Sequence, residues 1–145
     1  MTTMNKQAAN GIDRRKLLVA SLASIAAAVA ANLVAFFIAR AMFDLPADFP
    51  PLSVGAITFF TVLGTGLGAL VFALLVRRSA APVRTYWIIA IVALMLSILP
   101  NFLAAANPVL FPFPGGTATA FLVLTLFHVI AAVVSVVVLT RMSRG

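Results

Sequence analysis

Long apolar runs alternate along this chain with short stretches rich in proline, glycine and charge. Four runs stand out, at residues 17–43, 53–76, 85–106 and 117–140. Each reaches the roughly twenty residues that carry a helix across a bilayer core. The third is the most clearly framed: Arg84, Tyr86 and Trp87 open it, a cation and two amphipathic rings of the kind that settle at the headgroup level of the inner leaflet. The pattern therefore predicts an all-α membrane protein, an up-down-up-down four-helix transmembrane bundle over residues 17–145, preceded by a cytoplasmic tail at residues 1–16.

The segments between the runs are loops on their own chemistry. Asp44 to Pro51 contains three prolines, Pro46, Pro50 and Pro51, which forbid a continuous helix. Ser53 then stands where it can cap the second helix, and Thr117 the fourth. Asn107 to Gly116 is apolar enough to lie on the membrane surface, with Phe111 and Phe113 dipping inward. Connections this short make consecutive helices neighbours.

Composition agrees with the pattern. The chain is 63% apolar, well above the roughly half found in soluble domains. Its net charge of +7 does not point to nucleic acid, because the cations flank apolar runs and form no patch with exposed aromatics. They act instead as topology anchors: Arg14, Arg15 and Lys16 before the first run, Arg77, Arg78 and Arg84 in the second connection, Arg141 and Arg144 at the carboxyl end. Of the ten cations, only Arg40 falls on the other side. Both termini are thus expected in the cytoplasm, with the chain crossing the cell membrane four times. Asp13-Arg14-Arg15-Lys16-Leu17-Leu18 loosely resembles a twin-arginine export signal, yet the apolar run behind it extends far past the roughly 7 to 15 residues of a signal core, so the amino terminus is expected to be kept.

The residue inventory narrows the chemistry. Cysteine is absent, which removes disulfides and thiolate metal sites. Glutamate is absent too, and Asp13, Asp44 and Asp48 all fall at the membrane surfaces, so no carboxylate is available for a drug/proton exchanger or a serine-hydrolase triad. A single histidine, His128, suits neither a paired-histidine metal helix nor a bis-ligated haem. Gly64-Thr65-Gly66-Leu67-Gly68 is no nucleotide loop, since no strand precedes it and no lysine follows. Gly64 and Gly68 suit close helix approach, a homodimer contact or a lined cavity. No enzyme activity and no cofactor is expected.

What remains is a set of intramembrane polar residues: Asn32, Ser97, Asn101, Thr125 and His128. Such residues are functional candidates by default, although asparagine and histidine also serve as interhelical glue. Asn32 lies beside a stripe of small residues at Ser21, Ser24, Ala28, Ala31 and Ala35. It is expected to meet His128 where the first and fourth helices cross. Arg40 and Asp44, four apart, are expected to form an interfacial ion pair. Pro100 leaves the Leu96 carbonyl without its amide, to be repaired by Ser97, Asn101 or water, or else to serve as a hinge.

Arg84-Thr85-Tyr86-Trp87 leading into Ile91 to Pro100, then an apolar helix with a central His128 and an arginine-rich end, resembles a bacterial family of small four-span proteins, domain of unknown function 6069. The resemblance spans the whole chain in layout and implies the four-span fold and a bacterial membrane, with no assigned activity. Two roles follow from the residues. One is a non-enzymatic membrane component or accessory subunit, with the lipid bilayer and a membrane protein or second copy as partners. The other is a small permease or channel lined by Asn32, Asn101 and His128. The cation asymmetry makes a direct prediction: reporters fused after Gly145 or within Arg77 to Arg84 should read cytoplasmic, and reporters near Asp48 or Pro112 external. An external carboxyl terminus would defeat the four-span arrangement.

Overall fold

The structure, a computed structural model, describes residues 13–144, so the tail expected before residue 13 lies outside the described residues. Four helices account for most of what is described: α1, Arg14–Met42; α2, Val54–Arg78; α3, Pro82–Ala106; and α4, Ala118–Arg144. All four are long and apolar enough to cross a membrane. Even 25 residues, the length of α2 and α3, rise about 37 Å at 1.5 Å per residue, more than the roughly 30 Å of hydrocarbon. Single 3-10 turns at Pro50–Leu52 and Pro108–Leu110 interrupt the two longer connections.

Local chemistry sets the helix ends. Asp13 accepts the Arg15 amide at 3.1 Å, which starts α1 three residues before the apolar run and places Arg14, Arg15 and Lys16 in its first turn rather than in a tail. Ser53 accepts the Ala56 amide and Thr117 the Ala120 amide, both at 3.2 Å, as their positions predict. At α3 no side chain caps the helix; Pro82 occupies its first turn, where a missing amide costs nothing. Later in α3 the helix passes through Pro100 without interruption. Neither of the two side chains expected to repair it does so: the Ser97 hydroxyl donates to the Leu94 carbonyl at 2.9 Å, two residues before the Leu96 carbonyl that Pro100 leaves free, and the Asn101 amide turns toward His128.

Packing is organised around α1. Its buried residues are Ala20, Ser24, Ala28, Asn32, Phe36 and Ala39, a row at four-residue steps that ends in one three-residue step. The first three are fully buried and small, which lets neighbouring backbones approach closely, the main source of helix association where lipid tails are as apolar as leucine. Asn32 therefore lies on the stripe itself, one position round from where the sequence put it. The most extensive packing is α1 on α4, followed by α3 on α4 and α1 on α2; α2 and α3 meet less, and α2 scarcely reaches α4. Consecutive helices are thus neighbours, as their short connections require, and α1 and α4 close the bundle.

Two core clusters form. One joins Ala20 of α1, Phe72 and Val76 of α2, Tyr86 of α3 and Leu139 of α4. The other joins Phe36 and Ala39, Ile57, Ala104, Ala120 and Phe127 with Leu45, Phe49 and Leu52 of the first connection. Tyr86 turns into the bundle instead of outward: it is buried, its ring 5.0 Å from that of Phe72, while its neighbour Trp87 is exposed. At the other end Phe49 is the ring that goes fully inside, edge-on to Phe121 at 5.2 Å, while Phe111 packs half-buried against the same cluster and Phe113 stays exposed. Gly115 closes over this connection at φ +68°, where a Cβ would fall 2.6 Å from Asp48 Oδ1, so no other residue fits there.

The expected ion pair between Arg40 and Asp44 is not formed among the described residues. Because α1 ends at Met42, Asp44 leaves the helical register that would have set it beside Arg40. The guanidinium lies instead over the Phe36 ring, 5.7 Å from its centroid. If the α1 stripe holds the bundle together, Ala28→Leu should lower stability by about 1–3 kcal/mol through overpacking. Leu22→Ala, at a residue 60% exposed on the opposite side, should change unfolding in detergent very little.

Candidate functional site

A cavity of about 620 Å³ lies among α2, α3 and α4 and reaches α1 at Asn32. Its wall is mainly aliphatic and aromatic. The α2 side presents Thr61, Gly64, Thr65 and Gly68, residues at steps of three and four that share one helical face. At Gly64 an added Cβ would meet nothing within 4 Å, whereas at Gly68 it would come within 2.9 Å of the Tyr86 hydroxyl. One of the two glycines thus borders open space and the other admits a side chain from α3, the cavity role rather than a close crossing of two helices.

Two polar stations punctuate this wall. At the first, Asn32 donates from Nδ2 to Thr61 Oγ1 at 2.9 Å, and Thr65 returns its hydroxyl to the Thr61 carbonyl at 2.6 Å. Asn32 is only 2% exposed, and its Oδ1 has no hydrogen-bond partner. At the second, Tyr86 and Ser135 stand near one another without completing a hydrogen bond, which leaves the buried Ser135 Oγ unpaired. Thr61 and Gly68, which mark the two levels on α2, are seven residues apart, about 10 Å along the helix axis.

His128 also lines the cavity, but it is exposed and does not bond to Asn32. Its Nδ1 lies 2.7 Å from the Leu124 carbonyl and 3.5 Å from Asn101 Nδ2. A carbonyl only accepts, so the shorter contact assigns the Nδ1 hydrogen to Leu124. In a neutral ring so held, Nε2 keeps its lone pair. The expected Asn32–His128 bond is therefore replaced by two others, Asn32 with Thr61 and His128 with its own helix, because α2 reaches Asn32 first.

The other sequence candidates divide. Ser97 lines the cavity with its hydroxyl already committed to Leu94, Asn101 touches His128 from outside the lining, and Thr125 is buried with its hydroxyl on the Phe121 carbonyl. Thr61, Thr65, Tyr86 and Ser135 were not among the candidates. The shared face of Thr61, Gly64, Thr65 and Gly68 was the available signal for the first two. The topology anchors Arg14, Arg15, Lys16, Arg77, Arg78, Arg84 and Arg141 are all exposed. The start of α1 and the end of α4 meet around Arg15, Lys16 and Met142.

Four apolar helices around a wall this apolar, with neutral amides and hydroxyls inside, define a multi-pass helical membrane protein with an intramembrane cavity. Residues 12–145 match the Family of unknown function (DUF6069), and the chain belongs to that family. No curated protein and no solved structure matches it.

The Asn32–Thr61 bond is open to measurement. Thr61→Val should cost about 0.6 kcal/mol and no more than about 1.7, the range of interhelical hydrogen bonds in membranes. Ser135→Ala, which removes an unpaired buried hydroxyl, should leave unfolding unchanged or raise its midpoint.

Proposed function

We propose that this chain is a non-enzymatic component of the bacterial cytoplasmic membrane, an up-down-up-down bundle with both termini in the cytoplasm, which works by holding a ligand or partner rather than by converting a substrate. The observation that carries this reading is where charge resides. Among the described residues every carboxylate and every cation lies at or near a helix end or in a connection, and the side chains that line the cavity are neutral amides, hydroxyls and one imidazole. General acid–base or nucleophilic chemistry needs a base with an orienting partner; the imidazole here is oriented by a backbone carbonyl and faces no carboxylate. The two core clusters support the topology, since one gathers the start of α1, the end of α2, the start of α3 and the end of α4, the ends that carry the cations. A second copy or another membrane protein is the partner such a component would engage.

A second reading, a small permease, draws on the cavity lined by both Asn32 and His128. Flux through reconstituted liposomes separates the two. The component reading expects vesicles as tight to protons, cations and small solutes as protein-free ones, with His128→Ala indistinguishable from the parent. Solute flux that is lost in His128→Ala would replace it with the permease.

A further inference from the structure

Three arginines crowd the turn between α2 and α3 with no acid beside them. Arg77 and Arg78 end α2, Arg84 lies in the first turn of α3, and all three are exposed. After Asp48 the sequence contains no aspartate or glutamate. Asp44 and Asp48 belong to the connection at the far end of α2, about 37 Å away along the helix, and the Asp13 carboxylate caps α1. Helix dipoles account for only part of this arrangement. The carboxyl end of a helix favours cations, which suits Arg77 and Arg78, but the amino end disfavours them, and the first turn of α3 holds Arg84 with no acidic residue to offset it.

The turn keeps the three side chains within reach of one group. Ser79 follows Arg78 and Thr85 follows Arg84, and the two hydroxyls lie 3.4 Å apart. Deeper in, the rings of Phe72 and Tyr86, 5.0 Å apart, hold the same two helices together. Below the arginines each helix presents exposed apolar side chains that lie outside the cavity lining: Leu70 and Leu74 on α2, Trp87, Ile88 and Ile91 on α3. They share a face with the arginines, because Leu70 and Leu74 stand seven and three residues before Arg77, and Ile88 and Ile91 four and seven after Arg84. Cations thus top two lipid-facing columns, the order of parts that complements an anionic head on acyl chains.

We propose that the α2–α3 turn binds one anionic phospholipid, whose phosphodiester is held by Arg77, Arg78 and Arg84 and whose acyl chains lie along the exposed columns beneath them. A guanidinium presents a planar fork of donors that matches two phosphate oxygens, and cationic clusters beside the hydrocarbon attract anionic lipid heads. A zwitterionic phospholipid brings the same phosphate together with an ammonium, which three cations repel. The site goes beyond the component reading and is independent of it, because a permease could carry the same lipid.

The full chain, purified in mild detergent and titrated with dioleoyl phosphatidylglycerol under native mass spectrometry, tests the site. One saturable adduct per chain is expected, and dioleoyl phosphatidylcholine, with the same acyl chains, should bind at least about five-fold more weakly. Arg77→Gln, Arg78→Gln and Arg84→Gln combined should weaken phosphatidylglycerol binding at least about ten-fold, whereas the same charge loss at the other helix ends, Arg14→Gln, Arg15→Gln and Arg141→Gln combined, should weaken it by less than about two-fold. Glycerol 3-phosphate and a polyaspartate peptide, each at the concentration of the lipid, should not displace it. Absence of a saturable adduct, equal binding of phosphatidylcholine, or equal weakening by the two triple variants would overturn the proposal. Displacement by glycerol 3-phosphate would make the turn a site for free phosphate, and displacement by polyaspartate a docking point for an acidic protein segment; either result overturns the lipid site. The lipid comparison and the two displacements use the parent chain, so they decide the matter even if a triple variant does not fold.

Discussion

The structure depends on how closely α1 can be approached. In hydrocarbon a buried leucine gains little over one that faces a lipid tail, so helices associate where their backbones come near enough for dense van der Waals contact. Ala20, Ser24 and Ala28 provide that on one row of α1, with no side chain larger than a hydroxymethyl among them. α4 lies along this helix and α2 packs against it as well, and α3 reaches the bundle mainly through α4. Because α1 draws its two partners together in this way, α2 and α3 are left to close the remaining side, and they close it incompletely.

The cavity is a consequence of that incomplete closure. α3 buries only Tyr86 and Ala104, one near each end. Between those two points its side chains are at most half-buried, and the glycines of α2 opposite add no volume to fill the space. Small residues thus do opposite things on two helices: on α1 they bring backbones together, and at Gly64 they leave a gap. The difference lies in what stands across from them, another helix in the first case and none within reach in the second.

Polar groups follow the same logic. A hydroxyl in a membrane helix satisfies itself most cheaply on the carbonyl one turn back, and Ser21, Thr65, Thr125, Thr140 and Ser143 all do so. An asparagine has too many donors and acceptors for that solution. Asn32 therefore needs a partner on another helix, finds one in Thr61, and still has an oxygen left over. His128 has its Nδ1 settled on Leu124 and is itself exposed. These two residues are where the interior stays chemically unfinished.

The residues by themselves determined the four helices, their approximate ends, the caps at Ser53 and Thr117 and the concentration of cations, because run length, proline positions and charge act locally and bilayer thickness admits few alternatives. They also marked Asn32 and His128 as polar candidates, since a polar group in an apolar run is conspicuous without any structure. Which partner each takes was not legible. The i, i+4 spacing of Arg40 and Asp44 means an ion pair only if the helix runs through both, and its end at Met42 was decided by the turn that follows. That the first and fourth helices cross says nothing about their rotation, and α2 rather than α4 presented a hydroxyl to the Asn32 amide. Tyr86 was read as a headgroup ring because its neighbours in sequence are, whereas the gap at Gly68 across the bundle drew it inside. Helix rotation and the order of neighbours are set by many weak contacts summed over whole faces, and only the tertiary structure decides that sum.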